Sequence, residues 1–166
     1  MSTVLFISQE KLTSYAIAGN VDSTHILAHL KDAQRIYIES ALGTDLYQKL
    51  QAEILAGTLT GNYKILVDDY IQDVLVHYAT LQAIPFLAYK IENGNIYSKN
   101  SESGNALSVE ELGDLKASIK NTAEWYRARM VDYLCYNSDL FPEYSTNQGN
   151  DLKPSKTTYT NNMNLF

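Results

Sequence analysis

A chain of 166 residues with 45% hydrophobic side chains is long enough for one domain with a substantial core. Its formal net charge of -6 includes no basic block, which argues against a protein that wraps nucleic acid by neutralising phosphates. One cysteine, Cys135, excludes an internal disulfide framework and a cysteine-rich zinc site.

The first 21 residues look irregular. "VLFIS" reads as a short strand or an anchoring segment, and "AGNVD" as a turn into a helix. No basic region precedes that apolar stretch, and no run approaches the roughly 20 apolar residues of a membrane span. The expectation is a protein on the cytoplasmic side of a membrane, or in a particle assembled there.

Asp22 or Ser23 can cap the first helix, whose seam is Ile26, Leu30, Ala33, Tyr37 and Ala41. Gly43 supplies the left-handed position that ends it. The second helix takes Thr44 as N-cap, carries Leu46, Tyr47, Leu50, Ile54 and Leu55, and stops at Gly57. After the turn "GTLTGN", Asn62 caps a long third helix expected over residues 63–92. Val67, Ile71, Val74, Tyr78, Leu81 and Ala88 mark one of its faces, and Leu66, Tyr70, Leu75 and Leu87 widen it. A helix apolar around so much of its girth belongs in the middle of a bundle. Pro85 should kink or divide it.

Residues 93–107 then interrupt the helical pattern with Asn, Ser and Gly, yet hold Ile96, Tyr97 and Leu107. Helix links in bundles usually run roughly 2–8 residues, so this segment is either disordered or has a job. Ser108 and Glu111 form a capping-box pattern for the fourth helix. Its seam is Leu112, Leu115, Ile119, Tyr126, Met130 and Leu134, and it runs to Asn137. The expected fold is mainly α: a four-helix bundle with a kinked long central helix, an arm at about 93–107 and an extended C-terminal tail. The helical domain is 1–137 and the tail 138–166. Phe141, Tyr144, Tyr159 and Phe166 punctuate that tail, and purely disordered tails are poor in aromatics.

Chemistry is sparse. His25 and His29 are four apart, a spacing that suits zinc, but no third ligand lies at the right distance and a solvated helical flank is the plainer reading. Asp68, Asp69 and Asp73 fit acid–base or Mg²⁺ work, yet acidic residues early in a helix also simply complement its dipole. Trp125, Tyr126, Arg127 and Arg129 form an aromatic and basic group that a helix distributes over several faces. Cys135 reads as a buried small hydrophobe. There is no Gly-rich phosphate loop, nucleophile elbow or dinucleotide fingerprint. The expectation is therefore no enzyme, no metal and no cofactor. Thirteen tyrosines against four phenylalanines hint at surfaces that meet partners.

Several phrases carry a resemblance. They are "LFIS…GNVD", "AQRIYIESALGTDLYQKL", "NGNIYSKNS" and "LSVEELGDL…AEWYRARMVDYLCYN" followed by "FPEY", in this order over about residues 4–144. The set resembles head–tail connector (adaptor) proteins of tailed bacteriophages, particularly those of crAss-like phages. That resemblance implies a structural virion protein at the head–tail junction, forming a ring usually of twelve copies beneath the portal protein. Such a ring extends the DNA channel, through which DNA passes without sequence-specific binding, and offers an attachment surface to tail proteins. In this setting the acidic balance would keep phosphates from sticking. The arm is expected to be a hairpin in which residues 95–99 pair near 104–107. Asn95, Ile96, Tyr97 and Leu107 would then meet a neighbouring subunit, while Phe141, Tyr144, Tyr159 and Phe166 dock the tail on a partner. The competing reading is a monomeric or dimeric helical binding or regulatory module. A metal enzyme using Asp68, Asp69 and His77 is a distant third.

Overall fold

The computed structural model describes residues 4–8, 11–12, 23–92, 95–98, 108–146 and 151–156, with backbone alone at 23–25 and 90–98. The fold is mainly α. Helix α1 covers residues 23–42 as Ser23–Ala33, a π-helical turn at Gln34–Glu39, and Ser40–Leu42. Leu30, Ala33 and Ala41 of the expected seam are fully buried, but Tyr37 is only partly covered: the π turn shifts the register, and Ile38 fills the core there. The wider π turn lets Gln34 face the core as well. Gly43, at φ 77°, turns the corner into α2 (Thr44–Ala56), a conformation that side chains with a Cβ rarely adopt. Gly57 closes α2 in the left-handed region, its N–H donating to the Glu53 and Ile54 carbonyls.

Helix α3 is the centre of the molecule and packs between α1 and α4. It comprises Gly61–Leu66, a second π turn at Val67–Ile71, and Gln72–Ala88. Leu66, Ile71, Val74, Leu75, Tyr78 and Ala79 are buried at a spacing that covers most of its girth. Pro85 falls in the last full turn, so it removes one backbone bond shortly before the helix ends at Ala88.

The expected helix over residues 63–92 is too long by one strand. Tyr89–Glu92 forms β1, paired antiparallel with β2 at Asn95–Ser98 in the register Tyr89↔Ser98 to Glu92↔Asn95. The two residues between the strands are Asn93 and Gly94, the pair most favoured in tight hairpins. The hairpin is therefore real, but β2 pairs backward with residues 89–92. Residues 104–107, the expected partner, lie outside the described residues.

Helix α4 (Val109–Tyr136) starts with the capping box read from the sequence. Glu111 N–H donates to Ser108 Oγ at 3.1 Å, and Ser108 N–H to Glu111 Oε2 at 2.8 Å. Met130, Val131 and Leu134 anchor its second half in the core.

Both ends of the described chain fold back on this body. Phe6 and Ile7 are buried, and the backbone around them is held by glutamine side chains. The Phe6 N–H donates to Gln34 Oε1 at 2.9 Å, while Gln34 Nε2 donates to the Val4 carbonyl and Gln72 Nε2 to the Phe6 carbonyl. Two amides on different helices thus do for an extended segment what a neighbouring strand would do. After α4, a 3-10 turn (Ser138–Leu140) leads into α5 (Pro142–Thr146). Further on, Thr44 and Leu152 exchange two hydrogen bonds, and Ser155 N–H donates to the Ser40 carbonyl at 2.9 Å.

Candidate interaction surface

The residues with the best claim to chemistry do not converge. His29 stacks on Phe86 with ring centroids 4.6 Å apart, and the His25 side chain lies outside the described residues. Asp68 pairs with Lys64 and accepts from Gln72 Nε2 at 3.2 Å. His77 lies flat on Tyr126 at 5.0 Å; burial holds its pKa below the usual histidine value, outweighing the opposite pull of Asp73. Among the described residues no group of three His, Cys, Asp or Glu is arranged to hold a metal. Cys135 is exposed, contrary to its reading as a core residue, with Sγ 3.8 Å from the Tyr144 hydroxyl. It falls one step beyond the Met130–Leu134 seam, and the helix carries it past the core edge.

Phe141 and Tyr144 also differ from expectation. They are 0% and 1% exposed, buried in the core of their own chain and unable to reach a partner from there. Phe141 sits edge-on to Tyr63 at 5.4 Å. Glu143 between them accepts from Lys49 Nζ at 2.6 Å and from the Tyr63 hydroxyl at 2.8 Å. Burial works to raise the Glu143 carboxyl, but the hydrogen bonds from Lys49 and Tyr63 outweigh it and hold the group below its usual range. The first part of the expected tail is therefore a sealed piece of the body. Tyr159 and Phe166 lie outside the described residues.

What the structure does gather is aromatic surface on α4. Arg129 stands over the Tyr70 ring at 5.6 Å and the Trp125 ring at 5.8 Å, and Tyr70 stacks on Tyr133 at 4.1 Å. Tyr70, Arg129, Asp132, Tyr133, Tyr136 and Asn137 line an open depression of about 400 Å³. Trp125 is 57% exposed and Tyr136 90%, large areas for side chains that usually seek cover. Sequence reasoning dispersed Trp125 and Arg129 by grouping them with Tyr126 and Arg127. Their spacing of four puts them on one face, and Tyr70 joins from the π turn of α3, a contact no local pattern announces. Trp, Tyr and Arg are the side chains that carry most binding energy at protein interfaces.

A second open region is the first half of α4. Between Val109 and Thr122 only Leu112 is buried, so this half is largely solvated. Val109 and Leu115 on it are exposed, as is Phe86 near the end of α3. Asn95, Ile96 and Tyr97 lie on β2, opposite Glu92, Ile91 and Lys90. Leu107 lies outside the described residues.

No curated protein and no solved structure matches this chain. Residues 38–153 match DUF6712, described as a family of unknown function, and with most of its length matched the chain belongs to that family.

Proposed function

We propose that this member of DUF6712 is a structural ring subunit of a phage head–tail junction, bound below the portal, where it extends the DNA channel and receives the tail. The observation that carries the reading is the hairpin of β1 and β2 set between α3 and a largely solvated first half of α4. A ring with head-to-tail contacts needs two different complementary surfaces on each subunit. Exposed Phe86, Val109 and Leu115 supply apolar surface on residues other than those of the Trp125–Tyr136 face. The resemblance of the ordered short phrases to connector proteins and the net charge of -6 support the same reading. Asn95, Ile96, Tyr97 and Leu107 belong to the proposed contact with the next subunit, and Tyr159 and Phe166 to a proposed contact with portal or tail.

Negative-stain electron microscopy of the purified chain, alone and mixed with a portal ring from the same source, tests the proposal. Closed rings, or an added layer on the portal, are expected. Scattered particles in both samples would sink it. Deleting residues 97–104 should leave helix content by circular dichroism close to wild type and abolish the ring; normal rings from that variant would remove the hairpin's role.

A further inference from the structure

The open depression on α4 lies close to where the described chain ends. Leu152 is pinned to Thr44 and Ser155 to Ser40, at the corner between α1 and α2. The next residue, Lys156, holds its Nζ 5.3 Å from the centre of the Tyr144 ring. The Tyr144 hydroxyl is in turn 3.8 Å from Sγ of Cys135, on α4. Asp132 and Tyr136, one turn back and one residue on from Cys135, both line the depression.

We infer that residues 157–166 fold back over this depression in the free subunit and cover it as far as Trp125. Length allows it. Ten residues extend about 33 Å, whereas the helix from Asn137 back to Trp125 rises about 18 Å. Composition suits it as well. The segment reads "TTYTNNMNLF" and holds no Asp, Glu, Lys or Arg, so it brings no charge against Arg129 or Asp132. Its three threonines and three asparagines both donate and accept, and serve a guanidinium and a carboxylate alike. Tyr159, Met163, Leu165 and Phe166 suit the rings of Tyr70, Tyr133 and Tyr136.

The receiving surface is set before contact. Arg129 stands over both the Tyr70 and Trp125 rings and Tyr70 stacks on Tyr133, so little freedom is left to lose. Tethering decides between this occupant and a separate molecule. A shallow surface binds weakly, and a segment attached beside it is present at an effective concentration in the millimolar range. The fold-back stands without the ring reading. Its consequence for assembly rests on that reading: the free subunit keeps one ring surface occupied. A neighbour then displaces the segment, which frees Tyr159 and Phe166 for portal or tail.

Trp125 is the single tryptophan of the chain and reports the far end of the contact. In dilute solution, where sedimentation shows a monomer, its emission should lie to the blue of that from a chain ending at Lys156. Acrylamide should quench the shortened chain more strongly, with helix content equal in the two. A synthetic peptide of residues 157–166 should reverse both changes in the shortened chain, saturating in the millimolar range. Tyr136→Ala, at a position too exposed to disturb the fold, should give the full chain the spectrum of the shortened one. The same change should weaken peptide binding about tenfold. Equal spectra from the full and shortened chains would overturn the inference. So would a blue shift that appears only as concentration rises, which assigns the segment to a second copy. Peptide binding indifferent to Tyr136→Ala would overturn it too, by placing the contact elsewhere. None of these readings needs a ring, so rings from a chain with equal spectra remove the fold-back and leave the ring reading standing.

Discussion

Glu143 and His77 give the molecule two separate responses to acid. Both have pKa values depressed by folding, Glu143 through Lys49 and Tyr63 and His77 through burial. For each, the unfolded chain takes up the proton first as pH falls, so stability is lost on the acid side of the ordinary value. The His77 loss begins below about pH 6.5 and the Glu143 loss below about pH 4.5. Urea midpoints measured across this range should fall in two steps. A His77→Phe variant, which keeps a ring against Tyr126, should lose the upper step alone. Glu143→Gln should blunt the lower step and cost about 1 kcal/mol at neutral pH, since the pair with Lys49 is partly solvated. Gln34 is a different case, because it is fully buried and satisfies the Phe6 N–H. Gln34→Leu leaves that donor without a partner and should cost about 1–3 kcal/mol. Limited proteolysis at residues 4–8 should accelerate by more than the global destabilisation explains; an unchanged cutting rate would mean that Phe6 and Ile7 hold the segment alone.

At the scale of elements, the parts legible in the sequence were those whose signals are local. The capping box at Ser108 and Glu111, the glycines at 43 and 57, and the seam of α1 up to its π turn each act within a turn or two, and each lies where it was read; past the π turn Ile38 replaces Tyr37. A hairpin was expected, but its first strand was misread as helix because the apolar spacing of α3 runs on through Leu87 and Ala88, and helical period outweighed the Asn93–Gly94 signal. The burial of Phe141 and Tyr144 had a signal too. Pro142 at the first position of a helix, with aromatic residues three apart on either side, marks a short amphipathic turn. A tail rich in Asn and Ser obscured it. The glutamine clamp had none, since a Gln inside an apolar stripe looks the same whether it faces water or an extended segment. The consequence for α5 is measurable. Truncation after Asn137 should unfold the chain or cost several kcal/mol, because it removes two aromatic core residues. Truncation after Lys156 should leave thermal stability nearly unchanged, and an equal loss in both would place the stabilising contacts beyond residue 156.

For the whole molecule, α3 joins everything. It packs against α1 and α4, receives the N-terminal segment through Gln72, and ends in the hairpin. A subunit built this way has two unlike open faces, the exposed first half of α4 and the Trp125–Tyr136 face. The proposed ring needs two different surfaces, one for each neighbour. Arg129→Glu should therefore weaken ring formation seen by microscopy with helix content unchanged, as the deletion of residues 97–104 should.

The glutamine clamp also sets a schedule for synthesis. Phe6 emerges from the ribosome well before the Gln72 amide that caps its carbonyl, which is 66 residues further along. At about 5–20 residues per second the segment waits several seconds with Phe6 and Ile7 uncovered. During that interval the chain offers a short apolar strand with open backbone groups to whatever stands at the tunnel exit. Only when the first half of α3 is made does the segment find its slot, so residues 4–8 are put away well after they are made.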